Sequence, residues 1–296
     1  MAQASALRDC TTVAGTDVLQ WRRQQLARGG TAADLDWLLD LAAGLRWASL
    51  QRLLLDPTRT VALEQSLEVL SELWERHLHG NVPLQHLVGL CPWRDVLLES
   101  SPAALIPRQE TELLVDLAMS QFKATPPARW ADLGTGSGAI AVALARAWPT
   151  APGHGVDLSS DALQLAERNL ERCAPHHNCS LHLGSWWSPL RRWWGCLDLV
   201  VSNPPYIPRS VVQGLDPVVR DHEPHLALSG GEDGLESYRI IAGQIHRLLN
   251  TNGVAVVEFG NGQDKAVAKI FEANGLKIKG FSRDLASNNR CLLATL

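Results

Sequence analysis

The segment NPPY, from Asn203 to Tyr206, combines residue types that could hold a planar amino group. It follows an apolar run, LDLVV, that is typical of a strand, and because prolines cannot donate to a sheet ladder the strand must end there. The Asn203 side-chain oxygen and the Pro204 carbonyl can each accept one N–H of an NH2 group, while Pro205 keeps the corner rigid. The Tyr206 ring can pack flat on a planar amide and exclude water. The same residues also suit a plain turn.

Three glycines alternate with small polar residues in the segment DLGTGSGAI. They form the run Gly134, Thr135, Gly136, Ser137 and Gly138. Without Cβ atoms the backbone can turn sharply and a ligand can approach it closely. The spacing GxGxG differs from the dinucleotide pattern GxGxxG, which weakens the interpretation as a pyrophosphate site. Glycines also serve plain tight turns, so the loop alone is a moderate signal for a ligand.

An acidic residue, Asp157, ends the next strand-like run, HGVDL. A carboxylate there can accept hydrogen bonds from both hydroxyls of a ribose. It could instead cap the following helix, but Ser159 and Ser160 are better placed for that role. The loop and the acid together favour an adenosine-bearing cofactor without phosphates. Trp186, after the third strand-like run, could wall the adenine or could simply pack in the core.

The composition is that of a soluble globular protein, with 46% hydrophobic and 20% charged residues and a net charge of −4. Such a balance gives no overall basic field that attracts nucleic acid or a membrane. There is no apolar signal core or membrane-length run, and the six cysteines are scattered, so we expect a cytoplasmic protein. Cys173, His176, His177 and Cys179 lack the spacing of structural zinc ligands, so we predict a polar loop and no metal.

Residues 1–82 are predicted to form a small all-helical domain. One helix begins after a capping residue, Thr31, and a second ends near Gly80, each with apolar residues at steps of three or four. The two apolar stripes consist of Leu35, Leu38, Leu39 and Ala42, and of Leu63, Leu67, Leu70, Trp74 and Leu78. In residues 83–109 short apolar runs are broken by glycine and proline, which indicates a hairpin-like connector that holds the domain boundary.

Residues 110–296 begin with a helix and then alternate strand-like and helix-like runs. This alternation predicts a doubly wound, mostly parallel α/β sheet of Rossmann-like type. The last two strand-like runs, LKIKGFS and CLLATL, are so close in the chain that they can pair only as antiparallel neighbours. Ligands bind beyond the carboxyl ends of parallel strands, so Gly134–Gly138, Asp157 and Asn203 are expected in one crevice. That position favours the acceptor-binding interpretation of NPPY over the plain turn.

These segments resemble a known family. The DLGTGSGAIA loop and Asp157 are similar to those of class I S-adenosylmethionine-dependent methyltransferases, whose seven-stranded sheet has an antiparallel last strand. PLQHLVG, LIPRQETELLV, EPHLALSGGEDGLESYRII and VEFGNGQ resemble the HemK-type peptide chain release factor N5-glutamine methyltransferases, over roughly residues 83–296. The resemblance implies methyl transfer from S-adenosylmethionine, with S-adenosylhomocysteine as product, to the glutamine side chain in the Gly-Gly-Gln motif of class 1 release factors. It also implies that residues 1–82 recognise the substrate protein.

The resemblance further implies roles for individual residues. Gly134–Gly138, Asp157, Trp186 and Asn203 match cofactor-contacting positions of the family. Asn203–Tyr206 match its glutamine-binding motif, in which the residues of the catalytic set are Asn203, Pro204 and Tyr206. This chain departs from the family pattern at Ser185, where an aspartate that contacts the adenine amino group is usual, and at Asn289, where an acid is common.

Two other functions are compatible with the same motifs. A nucleic-acid adenine-N6 methyltransferase would also bind a planar NH2 group, but it would need a basic groove and usually a recognition domain. A non-catalytic methyltransferase-like binding protein would keep the fold without the chemistry, which the intact glycines, Asp157 and Asn203 argue against. We therefore expect an enzyme that acts on release factors, with no direct nucleic-acid binding and no membrane association.

Overall fold

The computed structural model describes residues 10–296, which form two compact units. One unit ends at Leu90 and the other spans Cys91–Leu296. The division falls within the segment 83–109. Within residues 10–296, no helix combines the length and apolar character that a membrane span requires.

The first unit is built mainly from helices around a core of leucines and two tryptophans, Trp21 and Trp74. The Trp21 indole N–H donates to the Ser71 hydroxyl at 2.8 Å, so its one polar atom is satisfied inside the bundle. The elements of the unit are β1 (Thr11–Ala14), α1 (Gly15–Arg28), α2 (Ala32–Ala43), α3 (Trp47–Leu55), β2 (Thr60–Leu63), α4 (Leu67–Gly80) and α5 (Leu84–Val88).

Both helices expected in this unit are present, but one predicted boundary is wrong. Thr31 caps α2 by accepting a hydrogen bond from the Asp34 N–H, and α4 starts after a second cap, Ser66. Leu63 does not belong to α4; it ends β2, which pairs antiparallel with β1. The unit is therefore not all-helical. Leu63 is fully buried all the same, because an inward-facing strand residue meets the same apolar requirement as a helix residue.

The segment 83–109 contains a hairpin, as the sequence predicts. Its strands β3 (Leu90–Trp93) and β4 (Val96–Glu99) form a two-stranded sheet around a two-residue turn. Trp93 is buried, and its indole N–H donates to the Arg108 carbonyl at 2.9 Å. This bond ties the hairpin to the chain that enters the cavity described below.

The second unit is a seven-stranded sheet with helices on both faces, and the predicted α/β fold is confirmed. Successive strand residues such as Trp130 and Ala131 enter two different apolar cores, because successive side chains of a strand point to opposite faces. The further elements are α6 (Glu112–Gln121), β5 (Trp130–Leu133), α7 (Ala139–Ala147), β6 (Gly153–Asp157), α8 (Ser160–Cys173), β7 (Cys179–Leu183), β8 (Leu197–Ser202), α9 (Arg209–Val212), α10 (Pro217–Arg220), α11 (His225–Leu228), α12 (Glu236–Leu248), β9 (Leu249–Glu258), α13 (Asp264–Ala273), β10 (Lys277–Arg283) and β11 (Asn289–Thr295).

The strand order creates a place where ligands can bind. It is β10-β11-β9-β8-β5-β6-β7, with β11 antiparallel to both of its neighbours and the other pairs parallel. The chain runs outward from β5 through β6 to β7 and then returns to β8 on the other side of β5. A crevice forms at such a reversal, beyond the carboxyl ends of the strands. The loop Gly134–Gly138 follows β5, and Asn203 follows β8, so both lie at this reversal.

Candidate cofactor and acceptor site

A cavity of about 470 Å³ lies at the carboxyl ends of β5, β6 and β8. Most of the residues predicted as a site line it together: Gly134, Thr135, Gly136, Ser137, Asp157, Trp186, Asn203 and Pro205. Three predicted residues, Gly138, Pro204 and Tyr206, are not among the residues that line it. The structure therefore brings the cofactor loop and two residues of NPPY, Asn203 and Pro205, into one cavity.

The three glycines of the loop have different structural roles. All have left-handed backbones, with φ of 76° at Gly134, 55° at Gly136 and 80° at Gly138. A Cβ at Gly138 would lie 2.9 Å from the Ala166 Cβ, so this glycine permits close packing of α8. A Cβ at Gly136 would meet nothing closer than 3.9 Å. Gly136 is thus needed for its backbone angle, and the space where its side chain would stand is left open beside the cavity.

Asp157 braces the glycine loop from the end of β6. Its Oδ2 accepts a hydrogen bond from the Gly136 N–H at 2.8 Å, and its Oδ1 accepts one from the Ser159 N–H at 2.9 Å. The helix cap is a different residue, since the Ser159 hydroxyl accepts from the Ala162 N–H at 3.2 Å. Each carboxylate oxygen has a second lone pair. The predicted contact with ribose hydroxyls remains a prediction, and the geometry leaves acceptor capacity for it.

A second carboxyl, Asp132, supports the same loop and was not singled out by the sequence. It is fully buried, and its Oδ2 accepts from the Thr135 hydroxyl at 2.6 Å. Its Oδ1 has no hydrogen-bond partner within residues 10–296. Burial raises the pKa of Asp132 to about 7, against the lowering effect of the Thr135 hydrogen bond. The only sequence signal was an acid inside the apolar strand run WADL.

Trp186 both lines the cavity and packs against one of the apolar cores. Its own backbone is left-handed, with φ of 49°. The ring lies over the glycine loop, where a Cβ at Gly134 would be 3.4 Å from ring carbon Cζ3. Ser185, the departure from the family pattern, lines the same cavity. Both roles considered for Trp186 are therefore compatible with its position, and its contact with adenine stays a prediction.

The Asn203 side chain is held by a residue from a distant part of the chain. Its Nδ2 donates to the Thr111 hydroxyl oxygen at 3.0 Å. Thr111 belongs to a 3₁₀ turn, Gln109–Thr111, before α6; it is 5% exposed and also lines the cavity. The amide nitrogen of Asn203 is thus turned toward Thr111, which directs the amide oxygen away from it.

Two glycines of the SGGEDG segment pack against the backbone of NPPY. A Cβ at Gly230 would lie 2.7 Å from the Pro205 carbonyl oxygen and 2.8 Å from the Tyr206 Cα. A Cβ at Gly234 would overlap the Tyr206 carbonyl oxygen. Side chains at either position would displace the corner, which explains why glycines stand there.

Hydrogen bonds fasten the end of NPPY to two later segments. Gln263 Nε2 donates to the Tyr206 carbonyl at 3.0 Å, and Gln263 Oε1 accepts from the Gly260 N–H at 3.0 Å. The Gly230 N–H donates to the Ile207 carbonyl at 2.9 Å. The VEFGNGQ and SGGEDG segments therefore both hold the end of NPPY in place.

The Tyr206 ring is half-buried and packs against an apolar core. Burial raises the pKa of Tyr206 to about 12, and the nearby charge of Glu258 raises it further. The phenol is therefore neutral at physiological pH and cannot act as a base there. Its contact with an acceptor amide stays a prediction.

Glu258, at the end of β9, is a buried acid that the sequence interpretation did not single out. It is 2% exposed, and its Oε2 has no hydrogen-bond partner within the part of the chain that the structure describes. Burial raises the pKa of Glu258 to about 7, against the lowering effect of its hydrogen bond with Thr111. An acid that ends an apolar strand, in VAVVE, was the available signal.

The charge of the cavity wall fits S-adenosylmethionine better than a phosphate-bearing cofactor. Among the described residues, Arg108 is the only lysine or arginine that lines the cavity. It is already paired with the buried carboxylate of Glu223, at 2.6 Å between Nη2 and Oε1. A glycine loop without side chains, with Asp157 beside it, suits an adenosyl group with hydroxyls and a positive centre. The residues present therefore fit this cofactor.

The cysteine–histidine group considered as metal ligands makes other contacts. His177 Nδ1 accepts from the Cys179 N–H at 3.1 Å, and the Cys173 thiol lies 3.6 Å from the Leu97 carbonyl oxygen. Within residues 10–296, no cluster of histidine, cysteine, aspartate and glutamate is arranged to hold a metal ion.

Comparisons with known proteins agree with this fold. A family model described as "Methyltransferase small domain" matches residues 109–221. Among solved structures, a methyltransferase from Pyrococcus furiosus has a TM-score of 0.50 at 16% identity, covering 67% of this chain and 87% of that chain. At this identity the likeness concerns the fold alone.

Relatives are similar over nearly their whole length. The release factor glutamine methyltransferase of Prochlorococcus marinus is 50% identical, over 94% of this chain and 96% of that protein. The proteins of the same name from Synechocystis sp. and Caulobacter vibrioides are each 37% identical, covering 95% and 88% of this chain and 97% and 88% of their own. On this similarity the chain belongs to the release factor glutamine methyltransferase family.

Proposed function

We propose that this protein transfers a methyl group from S-adenosylmethionine to the side-chain amide nitrogen of the glutamine in the Gly-Gly-Gln motif of class 1 peptide chain release factors. The observation that carries the proposal is the Asn203 amide, held by Thr111 at the wall of the cofactor cavity. The 50% identity to a release factor glutamine methyltransferase supports the choice of acceptor.

The acceptor nitrogen needs positioning more than activation by a base. An amide nitrogen is a weak nucleophile because its lone pair is delocalised into the carbonyl. S-adenosylmethionine, when bound, supplies a methyl group that its sulfonium has already activated. The task left to the protein is to hold the nitrogen close and aligned, and such positioning is worth roughly 7–11 kcal/mol of a reaction barrier.

The NPPY corner can supply this positioning. The Asn203 Oδ1 and the Pro204 carbonyl each accept one N–H of the acceptor NH2, which orients the nitrogen lone pair toward the cavity. Pro204 is buried and reaches the acceptor only through its carbonyl, and a proline has no N–H that would repel the NH2 group. Tyr206 packs its neutral ring on the planar amide and excludes water. The extra proton leaves after transfer, when the nitrogen is cationic and acidic.

The cofactor is held by the loop on the other side of the cavity. Gly134 and Gly136 line the cavity without side chains and so let the ligand approach closely, Asp157 accepts the ribose hydroxyls, and Trp186 walls the adenine. Ser185 offers the adenine amino group a weaker acceptor than a carboxylate would. Gly138 contributes through the close packing of α8.

The first unit is proposed to recognise the release factor. Helix α3 exposes large apolar side chains, with Trp47 63% and Leu55 87% exposed. Exposed apolar side chains of this size are typical of protein interaction surfaces. We further propose that the enzyme works in the cytoplasm, where its substrate acts in translation.

Methylation of a purified release factor tests the proposal. The factor is incubated with the protein and S-adenosylmethionine, and its peptides are analysed by mass spectrometry for a methylated glutamine. A release factor whose motif glutamine is changed to alanine is the matched control and is expected to stay unmodified. Parallel incubations with DNA and ribosomal RNA use tritiated donor. Label in nucleic acid and none in the release factor would overturn the proposal.

A further inference from the structure

Asn203 follows strand β8, and Glu258 is the last residue of strand β9. These strands are parallel neighbours, so both residues lie at the same edge of the sheet. Ser202 of β8 stands opposite Val257 of β9, so the next residue of each strand reaches the same level. Thr111 approaches this edge from the turn before α6, and its hydroxyl accepts from Asn203 Nδ2 at 3.0 Å. Three polar side chains from separate parts of the chain thus meet beside the cavity.

The buried carboxyl of Glu258 has no evident role in holding the fold together. Its side chain is almost fully buried and one oxygen lacks a hydrogen-bond partner within residues 10–296, an arrangement that costs stability. Tyr238 of α12 donates at 3.1 Å to the main-chain carbonyl of Glu258, which any residue at this position would offer. Apolar residues of similar size often replace buried charges without loss of stability. The carboxyl is therefore best explained by its neighbours Thr111 and Asn203.

The orientation of the Asn203 amide matters for the acceptor. The amide has two orientations, which exchange its oxygen and its NH2 group. One presents an oxygen to the incoming NH2, whereas the other sets two NH2 groups against each other. The Glu258 carboxylate favours the first orientation. Because it accepts a hydrogen bond from the Thr111 hydroxyl, the Thr111 oxygen is left to accept one from the Asn203 amide.

We propose that Glu258 and Thr111 are positioning residues that hold the Asn203 amide with its nitrogen turned into the protein and its oxygen turned to the acceptor. The Thr111 hydroxyl donates to Glu258 and accepts from Asn203, so both residues act through Asn203. This inference rests on the proposed function, since it is an acceptor NH2 group that requires this orientation.

The protonation state of Glu258 controls the arrangement. The titratable and charged groups around its carboxyl are Glu110 of the 3₁₀ turn, Tyr206 after β8, Tyr238 of α12, and Arg290 and Cys291 of β11. Because burial raises the pKa of Glu258 to about 7, the carboxyl gains a proton as the pH falls through neutrality. The protonated carboxyl then donates a hydrogen bond to the Thr111 oxygen, and the Thr111 hydroxyl can donate to Asn203 instead of accepting from it. The amide orientation that presents its oxygen to the acceptor is then no longer favoured. Methyl transfer is thus expected to weaken as the pH falls.

A matched pair of variants tests the role of Thr111. Thr111→Val removes the hydroxyl with little change in size, and Thr111→Ser keeps it. For release factor methylation we expect kcat to fall roughly 10- to 100-fold in Thr111→Val, as for a small misplacement of a reacting group. Thr111→Ser is expected to restore most of this loss. The Kd for S-adenosylmethionine, measured by calorimetry, is expected to stay at the parent value in both variants.

Two further measurements separate positioning from a merely structural role. In an Asn203→Ala background, Thr111→Val is expected to cause no additional loss of kcat, because it acts through Asn203. In Glu258→Gln, kcat is expected to be lowered and to lose the parent's rise through about pH 7. Circular dichroism and thermal unfolding confirm that each variant is folded before it is assayed.

The outcomes distinguish this inference from the proposed function. If the parent protein does not methylate release factors, the proposed function fails and this inference fails with it. If the parent is active and Thr111→Val is equally fast, or Thr111→Ser is as slow as Thr111→Val, the positioning role alone is overturned. A Glu258→Gln variant that keeps the parent's pH profile would likewise overturn the role of Glu258.

Discussion

The glycine loop and the NPPY corner lie in one cavity, but their shapes have different origins. The loop is shaped by its own residues, since left-handed angles at Gly134, Gly136 and Gly138 turn the backbone within five positions. The corner is rigid in itself, yet its direction depends on distant residues such as Thr111 and Gly230. The cofactor half of the site is thus encoded locally, whereas the acceptor half is assembled by the fold.

The substitution Asn203→Ala gives the most direct test of whether the two halves of the site are separate. It removes the proposed anchor of the acceptor and leaves the cofactor loop untouched, so we expect methyl transfer to fall by about 100- to 1000-fold, as when one positioned polar group of an active site is removed. The Kd for S-adenosylmethionine, measured by calorimetry, is expected to change little. An equal loss of transfer and of cofactor binding would show that the two halves are not separate.

Asp157→Ala is expected to act on the opposite half. It removes the hydrogen bond to the Gly136 N–H and the proposed ribose acceptor. Since hydrogen bonds to charged groups contribute about 1.5–3 kcal/mol, the Kd for S-adenosylmethionine should rise about 10- to 100-fold. The control is Asp161→Ala, which removes an exposed carboxyl of α8. If Asp157→Ala lowered kcat at saturating cofactor but left the Kd for S-adenosylmethionine unchanged, the bracing role of Asp157 would be contradicted.

Gly230→Ala tests the support of the corner from behind. The added Cβ would stand 2.7 Å from the Pro205 carbonyl oxygen, so the corner must shift. We expect kcat to fall about 10-fold with the cofactor Kd unchanged, since small displacements of reacting groups have effects of this order. Gly243→Ala in α12 is the matched control. Its Cβ would meet nothing within 4 Å, and the substitution should leave kcat unchanged while adding about 0.5–1 kcal/mol of stability. A parental kcat in Gly230→Ala would show that the corner needs no such support.

The smallest expected effect concerns the pH dependence of stability. Burial raises the pKa of Asp132 from 3.8 to about 7, so the folded state binds a proton that the unfolded state has lost. The stabilising effect is present below pH 3.8 and is lost as the pH rises through about 7. Asp132→Asn should therefore reduce the fall in unfolding free energy between about pH 6.5 and 8 by about 1 kcal/mol. Urea unfolding of parent and variant at both pH values measures it, with Asp161→Asn as the control for one lost charge. An equal fall in parent and Asp132→Asn would contradict this assignment.

Much of the sheet could be predicted because its signals are local. Apolar runs, glycine punctuation and the short loop between β10 and β11 indicate strand positions and the antiparallel pair without any knowledge of contacts. The prediction failed at Leu63, which lies in β2 and not in α4. A buried leucine near a helix start has the same periodicity in either element, so only the pairing of β2 with β1 decides.

The positions of Asn203 and Asp157 at the strand ends could also be predicted, because parallel strands present their carboxyl ends at one edge. Thr111, Asp132 and Glu258 were not singled out, although each contacts this site. Thr111 is 92 positions from its partner Asn203, and no spacing rule links residues so far apart.

The sequence by itself determined the parts of this protein that depend on local sterics: the left-handed turns at Gly134 and Gly136, and the rigid end of β8 at NPPY. Only the tertiary structure decided that Gly138 serves the packing of α8 and that Thr111 holds the Asn203 amide. The physical reason is that backbone angles follow from the residue itself, whereas the direction of a polar side chain follows from the partners that folding brings to it.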